Sequence, residues 1–412
     1  MNASSPSRSR TILLATILTL ACAGTEPSEP PPDLCQSLVT DKDPHPMTPL
    51  ARPAVGAAVT DPEFGTTIRR ISDVGAGGVL KPMYSTIPAW NADESYLILY
   101  HTGDVGGRHE LYDGRTYQLI RVLDIEPADL EQVYWHTSNP DILHYVNRSQ
   151  RALIRYHVAA GTKDTLHTFA CPGDVTSGND PMFTSWDSRA IGLTCRQTAT
   201  QREVFAYDIG TGAEGPRLTT TLDVAPQAGP GGALFYFMGD VLDASMTLLR
   251  SLDVGSPQEH ASLGRLANGH DTYNAVSFGG NHIGSLVTHD LTDASARAVI
   301  GPATGYPYPP SGTHVSAVAY RRPGWVSVSS IGATPDGQAV LNNELYIADT
   351  NPGGGVCRVA HHRSWGQSGP LGYWAEPHVV PSPSGTRLLF GSDWGGSNTV
   401  NAYVIELPSY RP

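Results

Sequence analysis

Short apolar runs alternate with polar turns along most of this chain. From about residue 64 one unit recurs: an apolar strand, a turn at Asp, Asn, Ser or Gly, a second strand, then a third ending in a charged or Tyr-Asp turn. The first unit reads PAWNADESYLILYH, then HELYDGRTYQLIRVL. The second reads VYWHTSNPDILHYV, then ALIRYHVAAGTKDTLHTF, and the third FTSWDSRAIGLTC, then EVFAYDIGTGAEGPRL. The fourth is eroded (GGALFYFMGD, TLLRSLDVG). The fifth runs from Tyr273 through SFGGNHIGSLVTHDL, the sixth from HVSAVAYRRPGWVSVSS to NELYIAD, and the seventh from HVVPSPSGTRLLFGSD to VNAYVIEL. Trp90, Trp135 and Trp186 hold comparable places, 45 and 51 residues apart.

Four strands in about 40–45 residues is the blade period of a β-propeller. The expectation is an all-β fold: a seven-bladed β-propeller over residues 64–412. The segment TTIRRISD (66–73) precedes the first unit and is expected to supply the outer strand of blade 7, which removes a free edge. A pair of β-sandwiches is the competing arrangement. It fits less well, because the repeats run through the middle with no linker between halves.

Composition supports the strand-rich reading. Only 16% of the 412 residues are charged, and 43 Gly with 33 Pro make turns frequent. A coiled coil, a helical bundle and a disordered chain are excluded on these counts. The net charge of −12 becomes −14 without a leader that carries only Arg8 and Arg10. Such a surface repels a phosphate backbone, so nucleic acid is not an expected partner.

Residues 1–21 join Arg8 and Arg10 to the apolar run TILLATILTLA, which is too short to span a bilayer comfortably. Cys22 follows at once. This resembles a bacterial lipoprotein signal, in which that cysteine becomes the lipidated first residue. Ordinary signal cleavage near Cys22 is the other reading, and both export the protein. Residues 22–63 form a Pro-rich linker and tail. Membrane contact is expected only through the lipid anchor, and the body is expected to be monomeric. Cys35, Cys171, Cys195 and Cys357 remain, with three possible pairings. Cys171 and Cys195 flank one strand-turn unit and are paired, leaving Cys35 with Cys357. No CxxC spacing suggests a thiolate zinc site.

In a propeller the loops leading into the innermost strands converge on one end of the central channel. Read this way, blade 5 (NGHDTYNAV) offers His270, Asp271, Tyr273 and Asn274. Blade 6 (SGTHVSAVAY) offers His314. Blade 7 (AHHRSWGQSGPLGYWAEPHVVPSPSG) offers His361, His362, Arg363, Tyr373, Trp374, Glu376 and His378. Blade 1 offers Lys81 and Tyr84, and blade 2 Tyr134 and His136. His314, Glu376 and His378, with His362 as a further candidate, combine nitrogen and oxygen ligands suited to a divalent metal such as Mn or Zn. Lys81, Tyr84, Arg363 and Trp374 are candidate substrate contacts. The plainer alternative is that these histidines cap strand ends and bond backbone carbonyls. No GxSxG or HExxH motif supports a peptidase.

The last blade, EPHVVPSPSGTRLLFGSD, resembles the propeller polysaccharide lyases, oligogalacturonate lyase above all. That family carries a ligand-bearing His motif, a Ser-Pro-Asp-Gly turn and a Leu-Phe-x-Ser-Asp strand. Here the turn is Ser382-Pro383-Ser384-Gly385, and Glu376 stands in the place of a first His. The resemblance implies a metal histidine from the preceding blade, matched by His314, and a proton-abstracting histidine one blade earlier, matched by His270. Tyr273, Tyr308 or Tyr373 would then donate to the leaving oxygen. The implied activity is β-elimination on a uronate-containing acidic oligo- or polysaccharide. TolB-like propellers share the turn and strand, which keeps a non-catalytic surface propeller binding a protein or glycan partner as the alternative.

Overall fold

Each repeat folds into one antiparallel sheet because most of its strands are joined by turns of two to eight residues, too short for the crossover that parallel neighbours need. The computed structural model describes residues 1–2, 33–257, 259–306, 313–332 and 334–411. Among them seven sheets form the seven blades of a propeller. Cys22 and Tyr308 lie outside the described residues.

Blade 1 comprises Val79–Lys81, Tyr96–Thr102, Arg108–Asp113 and Leu119–Val122, from the axis outward. Blade 2 runs from Val133–Trp135 to Thr162–Thr168, blade 3 from Val175–Thr176 to Leu218–Thr220, and blade 4 from Gln227–Ala228 to Leu248–Ser251. Blade 5 comprises Ser262–Arg265, Asp271–Ser277, Ser285–Asp290 and Ala296–Ile300. Blade 6 comprises His314–Ser316, Trp325–Ser329, Glu344–Asp349 and Val356–His361. Blade 7 orders Val380–Pro381, Arg387–Ser392 and Asn401–Glu406 outward, then takes Thr67–Arg70 from the start of the body. Ile68 faces Ile405 across that seam, so the N-terminal strand closes the ring as the sequence implies. A further strand, Ala58–Thr60, adds to its outer edge.

Middle strands are covered on both faces by neighbouring blades. Residues 97–101 of Tyr96–Thr102 are therefore all buried, and the polar alternation of a one-sided strand is lost there. The outermost strand Leu119–Val122 is largely exposed. Of the repeated tryptophans, Trp135 ties blade 2 to blade 1 and Trp90 braces blade 1 internally. Trp135 Nε1 donates to the Ala89 carbonyl of blade 1 at 2.9 Å, and Trp90 Nε1 donates to Gly114 O at 3.1 Å.

The tail is packed against the body. Both expected disulfides are present, Cys171–Cys195 and Cys35–Cys357. Val39 bridges to Arg358, Arg363 donates to Thr48 O at 2.6 Å, and Trp394 Nε1 donates to Leu50 O at 3.0 Å. The tail thus bonds to both blade 6 and blade 7.

Residues 82–88 interrupt the inner strand of blade 1 and cross the axis. Ser85 O accepts from Ser316 of blade 6, Thr86 Oγ1 donates to Pro181 O near blade 3, and Tyr84 packs edge-on to His314 and His378. Met83 and Ile87 are fully buried, so the channel is plugged by a side-chain core.

Candidate metal centre

Three of the expected ligands meet. His314 opens the innermost strand of blade 6, and Glu376 and His378 lie just before that of blade 7. One ligand atom from each lies within 4.8 Å of the others. Glu376 Oε2 is 3.6 Å from His314 Nε2 and 3.7 Å from His378 Nε2, and all three residues are buried. These separations are too long for hydrogen bonds but suit ligands of one ion at about 2.0–2.2 Å each.

The donor set passes a test of fit. Both ring nitrogens of His378 and the Oε2 of Glu376 are buried without a hydrogen-bond partner. Leaving such groups unmet costs about 1–3 kcal/mol apiece, which a divalent cation would offset. Burial pushes the His378 pKa well down, with help from Lys81, His314 and His260, so the imidazole is neutral as a metal ligand requires. The backbone of His378 sits at φ 45°, a left-handed conformation that costs a residue with a Cβ.

Lys81 lies beneath this trio, fully buried, and donates to the carbonyls of Glu376 (2.6 Å) and Trp374 (3.3 Å). Burial lowers its pKa to about 8, opposed by Glu131 and Glu376. Tyr373 and Trp374 form a short aromatic shelf beside the trio, each about two-fifths exposed. The Tyr373 ring lies 5.2 Å from that of His378, and its hydroxyl faces Glu131 at 3.4 and 3.5 Å. Glu131 leads into the inner strand of blade 2. Burial raises its pKa to about 7, with Lys81 lowering it and Asp129 raising it.

Other expected positions fall elsewhere. His270 and Tyr273 were placed ahead of the inner strand of blade 5, but that strand is Ser262–Arg265. His270 therefore sits in the hairpin at the far end of the blade, with Nδ1 2.6 Å from Asp290 Oδ2. Tyr273 lies in the second strand, buried and stacked on Tyr236 at 4.1 Å. The loop that does lead into blade 5 carries His260, which the sequence reading passed over. Its ring stacks on His314, 4.4 Å apart and 15° from parallel, and it is exposed. The signal was present: His260-Ala-Ser, His314-Val-Ser and His378-Val-Val are one repeated pattern.

His362 does not join the trio. One ring nitrogen bonds Ser330 O at 2.8 Å and the other accepts from Ser364 N at 3.0 Å, the carbonyl-capping role of the plainer reading. Arg363 faces the tail, 3.3 Å from Asp61 and 3.9 Å from Glu63. It supplies a cation to the second His-carboxylate group, Asp61, Glu63 and His361. Tyr84 is buried and packs edge-on to the rings of His314 and His378, so it is not an exposed contact.

No protein-family model matches the chain, and no curated protein matches it in sequence. Solved structures do match. An oligogalacturonate lyase in complex with manganese superposes with a TM-score of 0.61 at 15% identity, over 85% of this chain and 96% of that one. The oligogalacturonate lyase of Vibrio parahaemolyticus gives 0.62 at 14% identity, over 86% of this chain and 97% of that one. At such identities the likeness is one of fold: this chain has the seven-bladed architecture on which those lyases are built.

Proposed function

We propose that the protein is an exported, lipid-anchored polysaccharide lyase that cleaves uronate-containing glycans by metal-assisted β-elimination. The observation that carries this reading is the buried His314–Glu376–His378 trio, whose ligand atoms lie within 4.8 Å of one another. Its support is the same fold in oligogalacturonate lyases, one of them in complex with manganese. Cys22 would carry the lipid, and the two disulfides suit an oxidising compartment.

His314, Glu376 and His378 would hold a divalent cation such as Mn or Zn, which when bound offsets the uronate carboxylate charge and so makes the C5 proton more acidic. His260, the exposed imidazole stacked on His314, would take that proton in place of His270. Tyr373 would donate to the departing glycosidic oxygen, and Trp374 would stack on a sugar ring. Lys81 fixes the backbone under both, through its bonds to Trp374 O and Glu376 O.

One observation favours the second reading, a binding face without catalysis. Lys81 is the cation acting on Glu376, Glu131 and His378 among the described residues, and it is spent on carbonyls. Elemental analysis of untagged protein, with His314→Ala beside it, and near-ultraviolet absorbance on a panel of acidic polysaccharides decide between them. Bound metal lost in the variant, together with growing absorbance, supports the lyase. Metal-free, inert protein refutes it.

A further inference from the structure

Glu376 is restrained at two points. Its backbone carbonyl accepts from buried Lys81 at 2.6 Å. One carboxylate oxygen, Oε1, accepts from Gln367 Nε2 at 2.7 Å. The other, Oε2, has no hydrogen-bond partner among the described residues, and lies 3.6 and 3.7 Å from the Nε2 atoms of His314 and His378. The amide of Gln367 thus decides which oxygen an ion on the trio can reach.

Gln367 meets Glu376 because the chain between blades 6 and 7 doubles back on itself. Residues 364–376 pass through two short 3-10 turns, Gly366–Ser368 and Gly372–Ala375. Asp393 Oδ1 pins the start of this excursion, accepting from Trp365 N at 2.9 Å. Ser364 Oγ donates to Ala375 O and so closes it just before Glu376. Gly366 turns at φ 50°, where a Cβ would stand 3.3 Å from Ile331 and 3.7 Å from Glu376 Cγ. Gln367 follows that turn, and its side chain comes onto the buried carboxylate from the exposed side.

A ligating side chain is commonly oriented by a hydrogen bond from a residue that does not touch the ion. The same bond shapes selectivity. Calcium collects six to eight oxygens and often takes both from one carboxylate, whereas one carboxylate oxygen beside two imidazoles suits a transition metal. We propose that Gln367 is a positioning residue of the centre: by occupying Oε1 it confines Glu376 to a single ligand oxygen, which sets both the tightness of manganese binding and the preference for manganese over calcium. This rests on the metal centre of the lyase reading and is independent of catalysis.

Gln367→Met keeps the length of the side chain and removes the donor. Manganese bound to the full-length protein is read by electron paramagnetic resonance, and calcium by the concentration that displaces it. Manganese affinity should fall about 10–100-fold in the variant. Calcium, which can use the freed oxygen, should lose nothing, so the ratio of the two dissociation constants narrows by the same factor. A merely structural role for Gln367 would weaken both ions alike. An unchanged ratio, or manganese held as tightly as before, therefore overturns the proposal. If instead the unmodified protein takes up no more manganese than His314→Ala does, the metal centre itself is refuted and the inference falls with it.

Discussion

Replacing His378 with Asn removes one ligand from the trio while keeping a residue that tolerates φ 45°. In the metal-free protein the change should be mild, because the imidazole it deletes makes no hydrogen bond at either nitrogen. The effect should emerge on adding manganese. A ligand present at 100 times its dissociation constant, and bound by the folded state alone, adds about 2.7 kcal/mol of stability. Unfolding entropy of about 2.1 cal/mol/K per residue, summed over the body Asp33–Pro412, comes to about 0.8 kcal/mol/K. The unmodified protein should therefore gain about 3 °C in melting temperature under saturating manganese. His378→Asn should gain less than about 1 °C at the same concentration, since a two-ligand remnant binds far more weakly. Differential scanning calorimetry with and without chelator reads both numbers. Equal shifts in the two proteins, or none in the unmodified one, would refute the assignment of these three side chains to an ion.

Reducing Cys35–Cys357, or changing both to Ser, should cost about 2–5 kcal/mol, because the bond closes a loop of 322 residues; an unchanged thermal transition would show that the bond contributes nothing. Arg358→Met should destabilise by about 3–5 kcal/mol, since it strands the fully buried Glu344 now held at 2.6 and 2.8 Å, and adding Glu344→Leu should restore most of the loss in urea titrations. If the double variant is no better than the single, the burden lies in packing rather than in the unpaired charge. His144 and His109 are kept neutral by burial, with pKa values pushed down to about 3 and about 4. The unfolded chain, titrating near 6.5, then binds more protons in between, so their contribution is whole above about pH 6.5 and fades as pH falls toward 4. Urea midpoints should fall from pH 7.5 to 4.5, and His144→Gln should flatten that fall by about 1–3 kcal/mol. An identical slope in the variant would mean that His144 is not buried in its neutral form.

Much of the architecture was legible because it repeats. One strand-turn unit seen seven times sets the blade count, the tryptophan spacing marks equivalent positions, and a lone N-terminal strand has nowhere to go but the open edge of blade 7. The two disulfides followed from four cysteines remaining once Cys22 was set aside, and from Cys171 and Cys195 flanking one strand-turn unit. Three ligand candidates were visible as well, since each stands beside the start of a strand that reads clearly: HVSAV in blade 6 and HVVPS in blade 7.

What failed was register, and for a physical reason. The inner strand of blade 5 is Ser262–Arg265, a four-residue run with one large apolar side chain, so periodicity hardly marks it. The longer, wholly buried Asp271–Ser277 gives the stronger strand signal, so the pattern points to His270 rather than His260 ahead of the inner strand. Local sequence fixes which residues can be ligands, because that is a matter of side-chain chemistry. Which of them share a space depends on closing the ring, since His260, His314 and His378 are 54 and 64 residues apart and meet only where blades 5, 6 and 7 turn toward one axis. The same holds for Arg363 and His362: their chemistry suits a site, but the fold turns one to the tail carboxylates and the other to a carbonyl, and no pattern along the chain records that choice.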